Sequence, residues 1–320
     1  MKKLISVCSL VLAAFAATTS HADTWPSHPI RFVVPFTPGG SADLMARLVG
    51  QQLSAKYGQP VTIDNRPGAA GHIGAEAVAS SAPDGYTWVL GTSAVHAAYA
   101  IYPKLRYDPA KQLLPVTLIG DFPNVLVVNP SVPAKTVKEF VDLAKAKPGT
   151  LFFGSAGNGS STHMAAELFK RAANIDVQHV PYRGSSAAMS DLMGGQIQFM
   201  LENLPTTLSM IQSGKVRALG VTSSKPSDSL PGVPPIGATV PGFDFTAWFT
   251  IAVPAGTPPE IVKKLNADVA EVVHSTQLAP KWKELGVTPL GTSLKQTQTF
   301  IAAEHEKFSK LIEAAHLTAD

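Results

Sequence analysis

The stretch best suited to chemistry in this chain is Gly154-Ser-Ala-Gly-Asn-Gly-Ser-Ser-Thr-His163, in which glycines bracket a cluster of hydroxyls. An apolar Leu151-Phe152-Phe153 run precedes it and a helical pattern, Met164 to Arg171, follows, so the spacing predicts a strand, a tight turn and a helix start. Glycines let backbone N–H groups approach a ligand. Ser160, Ser161 and Thr162 add hydroxyls where a helix start concentrates partial positive charge, and His163 stands beside them. The combination suits a small anion, and it equally suits a plain helix cap behind a turn. A second stretch repeats the design: Ile30 to Val34 runs into Pro35-Phe-Thr-Pro-Gly-Gly-Ser-Ala-Asp43 and then into a helix with Leu44/Leu48 and Met45/Val49/Leu53 at i, i+4 spacing. Asp43, in the first helical turn, competes for the N–H groups there, which leaves those of Gly39, Gly40 and Ser41 to an anion. A valine at Gly40 should block close backbone approach and meet a dihedral that it resists. Two cradles far apart in sequence predict two domains facing one ligand.

Other chemistries lack their residues. The sequence holds no H-E-x-x-H, no metal-spaced His or Cys set and no G-x-x-x-x-G-K-[ST]. No catalytic residue, metal site or cofactor is expected. Gly68, Gly71 and Gly74 do not have dinucleotide-loop spacing. A serine hydrolase built on Ser160 or Ser161 is the enzyme alternative, but Gly157-Asn-Gly-Ser-Ser161 is not a nucleophile elbow and His163 has no nameable acid partner.

The elements that must position the cradles alternate strand and helix, as in a doubly wound, mainly parallel α/β sheet. Ligands bind such sheets at the carboxyl ends of strands, which adds Thr92 and Ser93 after the strand Tyr86–Gly91, and Asn203 after Gln196–Leu201. Thr92 and Ser93 serve equally as a helix cap. The apolar runs Val116–Ile119 and Val125–Val128, broken by Asp121-Phe-Pro123, mark the first crossing between domains, and Trp248–Val253 is a strand returning to the first. The expected division is 23–122 and 246–320 for the first domain and 123–245 for the second.

Residues 1–22 read as a secretory signal peptide: Lys2-Lys3, an uncharged apolar run from Leu4 to Ala17, and small residues before a cleavage expected after Ala22. That run is shorter than the roughly 18 residues needed to span a bilayer. Cleavage removes Cys8, the sole cysteine, so the exported chain must fold without a disulfide. It also lowers the formal charge from +3 to +1 with no basic run left behind, which argues against nucleic acid or an anionic membrane surface as partner.

Seven ordered blocks resemble the Bug family of periplasmic solute receptors of tripartite tricarboxylate transporters. They are Val33–Asp43 with Ala46-Arg47, Asn65–Gly71, Pro83–Thr87, Gly154–His163, Val180–Gly184, Gly214–Leu219, and Trp248 through Val253–Pro258. The resemblance covers about Pro26 to Ile312. It implies a two-domain periplasmic-binding-protein (Venus-flytrap) fold, each domain a doubly wound sheet flanked by helices, that closes on a small carboxylate and delivers it to a membrane transporter. Family members hold the carboxylate through backbone N–H groups and ordered waters from the first-strand loop, here Phe36 to Ser41 with Pro38, Gly39 and Gly40 between them. The second cradle, here Ser155, Ala156, Gly159, Ser160 and Ser161, supplies the other half. Thr37 and Ser41 sit at positions that vary in the family. Phe36 and Tyr182 are the aromatic candidates for the far side of the site. A monomer is expected, and the rival role is an exported sensor whose closed form touches a signalling receptor.

Overall fold

The computed structural model describes residues 25–319, so the expected signal peptide lies outside the described residues. In chain order the main elements are β1 (Ile30–Val34), α1 (Ser41–Tyr57), β2 (Val61–Asn65), α2 (His72–Ala79), β3 (Thr87–Gly91) and β4 (Leu113–Val128). Then come α3 (Val137–Ala146), β5 (Phe152–Ser155), α4 (Ser161–Ala173), β6 (Gln178–Pro181), α5 (Ser185–Met193), β7 (Phe199–Asn203), α6 (Leu204–Gln212) and β8 (Arg217–Val221). The chain finishes with β9 (Thr246–Pro254), α7 (Pro259–Val273), α8 (Ala279–Leu285), β10 (Thr288–Pro289) and α9 (Leu294–Ala315). Among the described residues, no helix is long and apolar enough to cross a membrane.

One curled sheet carries both lobes, in the order β2-β1-β3-β9-β4-β7-β5-β6, with β8 and β10 also pairing β4. The two ends are parallel triples: β2-β1-β3 in the first lobe and β7-β5-β6 in the second. Such triples form because the inner strands β1, β3, β5 and β7 are short, largely buried runs followed by helices that return over the sheet, while the edge strands β2 and β6 are more polar and partly exposed. Phe32, Val33 and Val34 of β1 are all fully buried, each contributing on the order of 1.5–3 kcal/mol of hydrophobic stabilisation. The two strands joining the triples, β9 and β4, pair antiparallel with their neighbours and with each other.

The sequence pattern suggests a break at Asp121-Phe-Pro123, yet β4 runs through it as one strand. Pro123 lies opposite Thr246 of β9, and from Asn124 onward β4 pairs β7 instead, so the proline falls where the ladder changes partner. A residue without an N–H is tolerated at such a place. Helices away from the cleft end on side-chain caps, Thr136 for α3 and a Ser293/Gln296 capping box for α9.

Candidate functional site

The carboxyl ends of β1, β3, β5 and β7 lead directly into helix starts, and these starts meet between the lobes. They enclose a cavity of about 30 Å³ lined by Phe36, Thr37, Gly40, Ser41, Ala42 and Thr92 from the first lobe and Ala156, Ser160, Ser161, Ser185 and Asn203 from the second, with Phe249 of β9. Gly40, Gly184 and Asn203, which precede α1, α5 and α6, provide no capping side chain for the first-turn N–H groups. Among the described residues, no lysine or arginine lines the cavity. An anion there is met by hydroxyls and helix-start N–H groups, whose aligned dipoles favour negative charge without a full countercharge.

Asn203 ties the lobes together. Its Nδ2 donates to Ser41 Oγ of the first lobe (2.6 Å), and its Oδ1 accepts from Ser161 Oγ of the second (3.2 Å). Nearby, Ser186 Oγ donates to the Pro38 carbonyl (3.1 Å), and Tyr102 OH donates to the Asn158 carbonyl (2.9 Å). At Thr92 the buried hydroxyl at the cavity wall has no hydrogen-bond partner. An unpartnered buried hydroxyl is unfavourable unless a ligand or water completes it.

Several sequence candidates stand behind the wall. The Gly39 N–H donates to Asp43 Oδ2 (3.1 Å), so the free N–H groups begin one residue later than expected, at Gly40. Burial raises the Asp43 carboxyl, but hydrogen bonds from Arg47, Asn65 and Gly39 outweigh it and hold the group below its ordinary range. Ser93 Oγ is buried without a partner, one residue into the one-turn helix Ser93–His96. Ser155 Oγ meets His179 Nε2 (2.6 Å) and accepts the Gly157 N–H (3.1 Å), which shapes the turn. Gly159, at φ +86°, donates its N–H to His163 Nδ1 (3.0 Å). That imidazole therefore braces the turn and is not placed to activate Ser160 or Ser161. His163 stacks on His179 with ring centroids 4.2 Å apart, and burial, with His179 and Lys170 adding, pushes its pKa well below the ordinary value. Tyr182 donates its hydroxyl to Asp191 Oδ2 (2.6 Å), away from the cavity. Ser160 is both cap and wall: its Oγ accepts the His163 N–H (3.3 Å) while the residue lines the cavity.

Thr37 lies within the Phe36–Ser41 loop to which the resemblance points, whereas sequence reasoning missed Ala42, Ser185 and Phe249. For Ser185 a signal existed, since Arg183-Gly-Ser-Ser186 is a third glycine–serine helix start. Phe249 had none, because a strand interior carries no mark of the cleft it borders.

A family model described as "Tripartite tricarboxylate transporter family receptor" matches residues 45–317. Protein BugT of Bordetella pertussis is 37% identical over 316 residues, covering 98% of this chain and 97% of its own. Among solved structures, Rpa4515 of R. palustris, described with adipate, is 38% identical with a TM-score of 0.89, covering 92% of this chain and 99% of its own. MatC (Rpa3494) from Rhodopseudomonas palustris, described with bound malate, is 31% identical with a TM-score of 0.85, covering 90% and 100%. These are receptors, not enzymes. With two helix-start cradles facing each other across one cleft, the chain belongs to the tripartite tricarboxylate transporter family of receptors.

Proposed function

We propose that this receptor works in the periplasm after signal cleavage, binding the carboxylate of a small organic acid between its lobes and presenting it, as a monomer, to a membrane transporter. The observation that carries the reading is the convergence of α1 from one lobe and α4, α5 and α6 from the other on one cavity without a cationic side chain. The two lobes divide at the partner change in β4 and at the start of β9, giving 23–122 with 246–320 and 123–245. Of the sequence candidates, Phe36, Gly40, Ser41, Thr92, Ala156, Ser160, Ser161 and Asn203 contact the ligand. Pro38, Gly39, Ser93, Ser155, Gly159, His163 and Tyr182 support them. The carboxylate of adipate or malate in the solved relatives is the kind of group such a cavity suits. Because each lobe offers half of the site, the ligand favours closure only through its better affinity for the closed form.

A thermal-shift screen of mono-, di- and tricarboxylates against their amides tests this. At about 100 times its dissociation constant a true ligand stabilises the fold by about 2.7 kcal/mol. At least one acid should raise the melting temperature while its amide does not. Shifts by sugars or cations alone would refute the reading.

A further inference from the structure

The cavity at the helix starts has room for about two water-sized groups, the space of a carboxylate and little more. A second chamber of about 170 Å³ adjoins it, and Gly40 and Ser185 line both. Its wall is apolar and adaptable where Met189, Met193 and Met210 contribute, the lobes meeting over it at Gly39 and Gly40. Set in that wall is Glu202, which is 0% exposed. Thr206 donates to its Oε1 (3.2 Å), while Oε2 has no hydrogen-bond partner. Among the described residues, no lysine or arginine lines the chamber.

Resting on the carboxylate reading above, we propose that this chamber seats the far end of the bound acid, and that Glu202 selects a far end that donates hydrogen bonds, a hydroxyl or ammonium, over a second carboxylate. A buried acceptor without a donor is costly, and a ligand donor removes that cost. Burial raises the Glu202 pKa to about 7, the polar groups of Ser185, Asn203 and Thr206 around it offsetting this only in part. Above that pH the group is an anion with no countercharge in the chamber, so a facing carboxylate is repelled and a cation or hydroxyl is held.

Calorimetry with the mature full chain at about pH 8 tests the assignment with hexanoate, its ω-hydroxy and ω-amino derivatives, adipate and hexanamide. The ω-hydroxy and ω-amino acids should bind about tenfold or more tighter than adipate. Glu202→Gln, checked for folding by circular dichroism, should weaken the ω-amino acid and strengthen adipate, closing most of that gap. Adipate binding wild type as tightly as the donor-ended acids, an unchanged gap in the folded variant, or no binding by any of the acids overturns the proposal. If hexanamide matches hexanoate, the carboxylate reading itself fails. If hexanoate exceeds hexanamide but the far-end order is absent, only the chamber assignment fails.

Discussion

At Gly39 the backbone takes φ +85° and its N–H is committed to Asp43, whereas Gly40 lies in extended geometry at φ −84°, ψ 174° that any residue adopts. The dihedral constraint expected at Gly40 therefore belongs to its neighbour. A Cβ at Gly40 meets only the Thr37 carbonyl, at 4.0 Å, and otherwise enters cavity space. Gly39→Ala should thus destabilise the fold by ~1–2 kcal/mol, the cost of the left-handed region to an ordinary residue. Gly40→Ala should leave the melting temperature near wild type and weaken binding of the best acid from the screen. Melting curves and calorimetry on both variants check this, and the opposite assignment of effects would show that the loop does not present Gly40 to the ligand. The glycine pair was legible in the sequence as a cradle. Its division of labour was not, because it depends on which N–H the Asp43 carboxylate takes.

Among the elements, α5 comes close to the other lobe at its start. A Cβ at Gly184, just before it, would collide with Thr37 Oγ1 of the first-strand loop. Gly184→Ala should obstruct closure by forcing the start of α5 away from Thr37 at the cavity wall. We expect about tenfold weaker binding of the same acid, with the unliganded melting temperature nearly unchanged. Small-angle scattering at saturating ligand should show less compaction than wild type, and wild-type affinity in the variant would mean that the approach is not needed for binding. The alternation of strands and helices was readable from their apolar periodicity, as were the two cradles. The unbroken course of β4 through Pro123 was not, since a proline reads locally as a break. Only its place at the change from β9 to β7 makes it harmless.

For the whole molecule, buried histidines govern acid stability. Burial holds His72 at about 4, His96, with His72 adding, at about 3, and His179, with Lys170 adding, at about 4, against an ordinary 6.5. The unfolded chain takes up these protons first, so the stability they support is complete above about pH 6.5 and is lost as pH falls towards 4. Glu202 acts in the opposite sense: raised from 4.5 to about 7, it supports stability that is present below about pH 4.5 and lost as pH rises through 7. Between those limits the three histidines outweigh the one carboxyl. The melting temperature should rise with pH from about 4.5 to 6.5, and more steeply in Glu202→Gln; a flat or falling profile would contradict the burial of these rings. The insertion of β9 between β3 and β4 bears on how the chain is made. The strands of the second lobe's parallel triple emerge together, but β3 must wait for Thr246–Pro254 before its second edge is paired. Until that late segment arrives, the Trp88-Val89-Leu90 run of β3 is an open strand edge of the kind that draws aggregation or a chaperone. One of the two strands that join the lobes in the finished receptor is thus also the latch whose arrival closes the open edge of β3 as the chain folds.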